Sequence, residues 1–478
     1  MSRIFNEYQE LVEYVRKKEI RTLDLKIPEL SGRWRHLTVP VNDLSPELFQ
    51  EGLGFDGSNY GYASLEASDM VFVPELKTGF FDPFWEVPTL SFLGNIYRIS
   101  ETGDTPYSGD PRRILKNALS RMRKLGAADK FIIGPEFEYY IFDLVNHWNT
   151  SRSAGYNINS QEKGWHNQEQ TDNPDYQIEN KDGYHKDLPH DHYRDLRVAT
   201  AQALSEAGIE VKYHHHKVGS AGQQEIEVKR RAAEKMGDAA LIAKYFIKNM
   251  ALKRGKMATF MPKPMYGEAG SGFHVHMQLS KNKNPIFSGN KYAGLSQTAL
   301  YFMGGILTHT PALMAFAAST TNSYKRLVRG FEAPVAICFA TANRSSVIRV
   351  PGYAEKAQDR RFEFRPGDAC GNPYLYFASL LMAGLDGIKE KIDPLENNFG
   401  PVEENVEELS RQEIEKLQFL PQTLTESLSA LEKDHKFLVK DNVFPENITK
   451  SWIERKKEEI NKLEKYPTAA EYRKYFDL

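Results

Sequence analysis

Four short segments of this chain repeat one device. Glu136-Phe-Glu138, Glu225-Ile-Glu227, His274-Val-His276 and Arg361-Phe-Glu363-Phe-Arg365 place ionisable side chains two residues apart, with apolar ones between. Successive side chains of a β-strand alternate faces, so residues i and i+2 share one. The spacing predicts four strands, each with an ionisable face and an apolar face. Any one alone reads as an ordinary amphipathic strand with a wet face. Together they demand more, because carboxylates side by side repel unless something cationic lies between them. Oxygen ligands with some imidazole suit Mg²⁺ or Mn²⁺. Two such ions can clamp phosphates.

Arginines gather nearby in sequence. Arg326 and Arg329 lie in a polar turn before Glu332, Arg344 and Arg349 follow, and Arg361 and Arg365 complete the set. A guanidinium recognises carboxylate or phosphate in a planar, bidentate way. Carboxylates suited to metals, next to an arginine cluster, point to phosphoryl transfer from a nucleotide.

Composition narrows the alternatives. The chain has 478 residues, 41% of them hydrophobic, enough for a sizeable core. Its net charge of −2 gives no basic footprint, so nucleic acid is not expected as a partner. Cys338 and Cys370 are the two cysteines, which excludes a disulfide scaffold and a four-thiolate zinc site. They fit a reducing, cytoplasmic compartment. Residues 1–20 are charged throughout and do not read as a signal peptide. The apolar run 375–385 is about half of the ~20 residues a membrane span needs, so no membrane partner is expected.

Along the chain, 5–18 reads as a helix, and 20–105 as short β-prone runs broken by Pro, Gly and Asp. Asp110-Pro111 starts a second helix, which Gly126 ends. The domain boundary is placed near 106. Residues 146–193 read as a long polar loop. Helical patterns occupy 234–254, 293–318, 410–417, 425–435 and 449–465. Strands and helices mix without βαβ regularity, so the expected class is α+β with an antiparallel sheet. Gly52-Leu-Gly54-Phe-Asp-Gly57 satisfies GxGxxG but lacks a preceding strand and a following helix, so it is not a dinucleotide fingerprint.

At these residues the chain closely resembles the glutamine synthetase family, type I, the bacterial and archaeal class. The likeness covers nearly the whole chain. It is carried by Gly54-Phe-Asp56-Gly-Ser58 with Glu66-Ala-Ser-Asp69, by Gly134-Pro-Glu-Phe-Glu138, and by Lys263-Pro-Met-Tyr-Gly-Glu-Ala-Gly-Ser-Gly-Phe-His274-Val-His276. Residues 322–334, Asn343-Arg-Ser and Asn372-Pro-Tyr complete the set, in the family's order.

The resemblance implies a β-grasp domain over 1–106. It implies a catalytic domain over 107–478, built on a curved antiparallel sheet with surrounding helices. It implies ATP-dependent ligation of ammonia to glutamate through γ-glutamyl phosphate, with two or three Mg²⁺ or Mn²⁺ ions per site. It implies a dodecamer of two hexameric rings, each site completed by a neighbour. By matched position, Glu138 and Glu225 resemble ligands of the metal nearer glutamate. Glu136, His274 and Glu363 resemble ligands of the metal on the ATP phosphates. Asp56 of a neighbour resembles the base for ammonium, Glu332 the flap residue that shields the intermediate, and Arg344 the group balancing charge on the phosphoryl. Gly270, Arg326 and Arg365 resemble substrate contacts, and His276 and Arg361 nucleotide contacts.

Three positions depart from the family pattern. Lys217 follows His214-His215-His216 where the family has a carboxylate ligand of the first metal. An ammonium has no lone pair to offer and repels a cation. Three accounts are open: Glu227 or water takes the ligand place, Lys217 supplies part of that metal's charge, or the enzyme is impaired or altered in substrate. Ala269 stands where the family has Asn on the glutamate loop, which would loosen the amino-acid pocket. Residues 396–401 read Glu-Asn-Asn-Phe-Gly-Pro, and no Tyr occurs between Tyr376 and Tyr466, so control by tyrosine adenylylation is not expected. The leading expectation is glutamine synthesis. The alternatives are a γ-glutamyl ligase for another amine and a catalytically impaired homologue.

Overall fold

A computed structural model describes residues 5–100, 103–163, 176–330, 333–406 and 408–478. The N-terminal part opens with the helix Tyr8–Lys17 and carries two four-stranded sheets. One runs in the order Trp34–Pro40, Thr22–Pro28, Thr89–Phe92, Phe80–Asp82, and the other Leu53–Asp56, Asp69–Pro74, Gly94–Arg98, Thr105–Pro106. The second sheet absorbs the GxGxxG segment: its residues form a strand and then a 3₁₀ turn over Gly57–Tyr60.

The rest is built on a ten-stranded sheet. Its main path is Val211–His216, Gln223–Val228, Lys130–Phe142, Phe273–Lys281, Phe362–Phe364, Ser346–Arg349, Ala336–Ala340. Every pair on this path is antiparallel except the last. The α+β expectation thus holds, and all four i, i+2 segments fall on this one sheet.

Helices Pro111–Lys124, Ala233–Leu252, Gln297–Ala317 and Pro373–Glu390 supply the core behind it. Gln297–Ala317 is long and apolar enough to cross a membrane, but it is largely buried inside the protein. It crosses Pro373–Glu390 at Gly305 and Gly387, where a Cβ on either would meet the other helix's backbone. Close packing of two apolar helices therefore depends on glycine here.

Two expectations change. The polar stretch 146–193 contains part of a hairpin, Leu144–Asn149 against Ala154–Asn159, as well as loop. The helix Pro373–Glu390 did not declare itself by period. Nearly all its residues are buried, so there is no polar stripe to reveal 3.6-residue spacing.

The helix start at 110–111 is observed. Asp110 Oδ1 accepts the backbone N–H of Arg112 at 2.9 Å, and Oδ2 accepts that of Ile96 at 3.3 Å. Asp110→Ala should cost about 1–2 kcal/mol through the lost cap. Asp110→Asn should recover most of it. Urea unfolding of the three proteins checks this.

Candidate active site

Strand register decides which ionisable groups meet. The central strand Lys130–Phe142 pairs Glu138 with Glu225 and Glu136 with Glu227 on one side, and Glu136 with His274 on the other. The next strand over brings Glu363 opposite His276. The alternation is the expected one. Phe137 packs against Phe260 and Phe273, with ring centroids 6.3 and 4.8 Å away, while Glu136 and Glu138 open into a cavity of about 540 Å³.

That cavity gathers most of the residues singled out by sequence. Glu136, Glu138, Lys217, Glu225, Ala269, Gly270, His274, Arg326, Arg344, Glu363 and Arg365 all line it. A second cavity, lined by Lys130, Lys212, Lys229, Arg230, Lys283, Tyr353 and Arg361, adjoins it at Tyr353. Asp56 is not at the cavity of its own chain. It is exposed on the second N-terminal sheet and accepts bonds from Ser58 and Asn59, which hold its carboxyl below the usual range. Glu332 lies outside the described residues.

Two halves of the cavity differ in kind. On one side, ligand atoms of Glu136, His274 and Glu363 lie within 4.8 Å of one another. His274 Nδ1 is 3.1 Å from Glu136 and 3.4 Å from Glu363. Burial alone would raise the Glu136 carboxyl, but His276 and His274 hold it well below its usual value. This carboxylate–imidazole set suits a hard divalent cation.

On the other side Lys217 fills the gap. Its Nζ lies 3.1 Å from Glu138 and 2.7 Å from Glu225. Burial would push the Glu138 carboxyl up, yet Lys217 first, then His274 and Arg326, bring it to about 2. Among the described residues, no third His, Cys, Asp or Glu joins Glu138 and Glu225 as a ligand cluster. This half does not fit a divalent ion as it stands.

Several side chains are placed differently from expectation. Glu227 is not with Glu138 and Glu225. It groups with Glu136 and His276, and Lys212 Nζ reaches both its oxygens at 2.9 Å. With both oxygens committed to Lys212 and its cluster partners on the other side, Glu227 does not take the ligand place beside Glu225. His276 is fully buried, bonded to Glu136 at 2.7 Å and to Arg361 at 3.4 Å, so it braces those residues rather than facing a cavity. Arg326 commits its guanidinium mainly to the carbonyls of Arg365, Pro366 and Gly367 at 2.9–3.2 Å. Arg365 gives one nitrogen to Glu363 at 2.5 Å and keeps a buried Nε without a partner.

The loop carrying Ala269 is held despite the lost amide. Tyr140 donates to the Ala269 carbonyl at 2.6 Å, and Gln223 donates to that of Gly270 at 2.9 Å. Cys338 sits in a small apolar cluster, and Cys370 donates to the Phe260 carbonyl at 3.3 Å. Burial pushes both thiols up to about 12, which suits a structural role. Sequence reading passed over Tyr184, Tyr353 and Lys212.

Comparison with known proteins accords with this geometry. The family model "Glutamine synthetase, beta-Grasp domain" matches residues 19–99, and "Glutamine synthetase, catalytic domain" matches 108–475. The glutamine synthetase of Aquifex aeolicus is 41% identical over 98% of this chain and 99% of its own. That of Frankia alni is 39% identical over 99% and 100%. A cryo-EM structure of Plasmodium falciparum glutamine synthetase superposes with a TM-score of 0.89 at 30% identity, covering 99% of each chain. A sheet that brings metal-suited carboxylates and guanidiniums to one cavity, together with full-length likeness of this degree, places the chain in the glutamine synthetase family.

Proposed function

We propose that the chain couples ATP cleavage to amide formation between glutamate and ammonia. The observation that carries this is the convergence of the Glu136–His274–Glu363 cluster with Arg344 and Arg365 on one cavity. An oxygen of the glutamate γ-carboxylate attacks the γ-phosphorus of ATP, and the bond to ADP breaks. Ammonia then attacks the γ-carbon, and phosphate leaves with the C–O bonding pair. The first step is needed because a carboxylate is a poor electrophile until one oxygen becomes a good leaving group.

Glu136, His274 and Glu363 would hold Mg²⁺ or Mn²⁺, which would supply positive charge to neutralise the phosphates. Arg344 and Arg365 face the transferring phosphoryl, where fixed positive charge lowers the barrier. The basic second cavity, with Arg361 set over the Tyr353 ring at 5.4 Å, takes the nucleotide. Gly270 and Arg326 border the amino-acid end. By matched position, Glu332 is the residue assigned to shielding the intermediate from water.

Asp56 acts from a neighbouring copy as the base for ammonium. Its exposure and its absence from its own chain's cavity support this, as do the exposed apolar side chains of Leu65 and Trp85 on the same N-terminal part. A dodecamer of two hexameric rings fits that sharing of sites. The division into 1–106 and 107–478 belongs to the same proposal. The test is phosphate release from ATP and glutamate with ammonium or small amines. Release with ammonium is expected, and release only with another amine overturns the reading.

A further inference from the structure

The Glu138–Glu225 half of the cavity holds a built cation. Both carboxylates are buried, and they face each other across neighbouring antiparallel strands. Left alone they would repel. Lys217 enters between them from the turn after Val211–His216. Its backbone is fixed on both sides: the Lys217 N–H donates to Gln223 at 2.8 Å, and its carbonyl meets His216 Nδ1 at 2.7 Å. The Tyr184 ring lies 5.6 Å from the ammonium. Two carboxylates and an aromatic face around one ammonium make a tailored cation site.

A divalent ion meets two obstacles there. Its coordination place is taken by an ammonium that is ion-paired to both carboxylates and offers no lone pair. Among the described residues no third ligand closes a cluster with both carboxylates: His215 Nε2 approaches Glu225 at 3.5 Å but does not group with Glu138. We propose that Lys217 is a tethered cation that replaces a divalent metal between Glu138 and Glu225, leaving Glu136–His274–Glu363 as the divalent site that lines the cavity. The proposal rests on the reading above only in taking that second cluster as a metal site. Its consequence is a permanent single charge on the amino-acid side, which neither dissociates nor responds to chelators.

Counting bound Mn²⁺ by electron paramagnetic resonance tests this without turnover. The full-length protein is titrated and free Mn²⁺ is measured. The wild type should bind one tight ion per chain, unaffected by Glu225→Gln. Lys217→Glu should bind one more, and Lys217→Glu combined with Glu225→Gln should lose it again. Lys217→Gln, which removes the charge with little change of size, should also gain an ion, and it serves if the glutamate variant does not fold. A wild type with a second tight ion that Glu225→Gln removes overturns the proposal, as does a folded Lys217→Glu or Lys217→Gln variant that gains none. Phosphate release is measured separately, so a failed functional reading and a failed metal count are told apart.

Discussion

Glu363→Ala should lower phosphate release by at least about 10²-fold, the scale of losing a fixed charge-stabilising group at a reacting centre. It should also destabilise the protein by about 3–5 kcal/mol, because it strands buried charges. Glu363 is 1% exposed and lies at the meeting point of four cationic or imidazole groups, the fourth being His276 at 3.9 Å. Its oxygens lie 2.5 Å from Arg365, 3.3 Å from Arg349 and 3.4 Å from His274. Removing the carboxylate leaves the Arg349 and Arg365 guanidiniums without their shared anion and takes one ligand from the divalent cluster. Glu363→Gln keeps the shape and one acceptor oxygen, so it should recover part of the stability but little of the Mn²⁺ binding. Thermal melts and Mn²⁺ titrations of both variants separate the two roles. Near-normal Mn²⁺ affinity in Glu363→Ala would remove Glu363 from the metal set.

The four i, i+2 segments were legible because period two is a local property and their residue types are chemically unusual for an ordinary strand. Asp110-Pro111 was legible for a similar reason, since capping needs only adjacent residues. What a strand face meets is a non-local matter. Sequence could place Lys217 at a ligand position, but not show that its ammonium would bridge Glu138 and Glu225, because that depends on register with two other strands. The same limit applies to His276, whose burial between Glu136 and Arg361 follows from sheet order rather than from its own neighbours. Arg326 shows it again, as its partners are carbonyls about forty residues on, close only because the chain turns back there. The hairpin at Leu144–Asn149 was hidden by its polar residues, which resemble a loop when neither face is deeply buried.

Arg112→Met should produce the largest loss of stability outside the cavity, about 3–5 kcal/mol, because it removes one partner from a buried charge network. Arg112 sits in the first turn of Pro111–Lys124 and is 4% exposed. Its Nε and one terminal nitrogen grip Asp238 in a fork, both at 2.8 Å. The other terminal nitrogen reaches Glu75 at 2.6 Å and Asn95 at 3.2 Å. One side chain thus ties the N-terminal sheets to the helix Ala233–Leu252, where Tyr374 also donates to Asp238 at 2.7 Å. Methionine fills similar volume but leaves Asp238 and Glu75 without their main cation.

The network also gives a pH signature. Burial would raise the Glu75 carboxyl, but Arg112 and Lys116 together bring it from 4.5 to about 2. A carboxyl depressed in the folded state contributes stability that is fully present above its unfolded value and lost as pH falls toward its folded value. The wild type should therefore lose this contribution as pH drops from about 4.5 to about 2, and Arg112→Met should lose less of it there. Melting curves at pH 7 and across the acid range test both parts. A Tm unchanged at pH 7 would show that the clamp adds nothing net, and an equal acid slope in both proteins would show that Arg112 is not what depresses Glu75. If the clamp holds as described, phosphate release in Arg112→Met should survive at low temperature and fail early on heating, because the cavity strands themselves do not touch it.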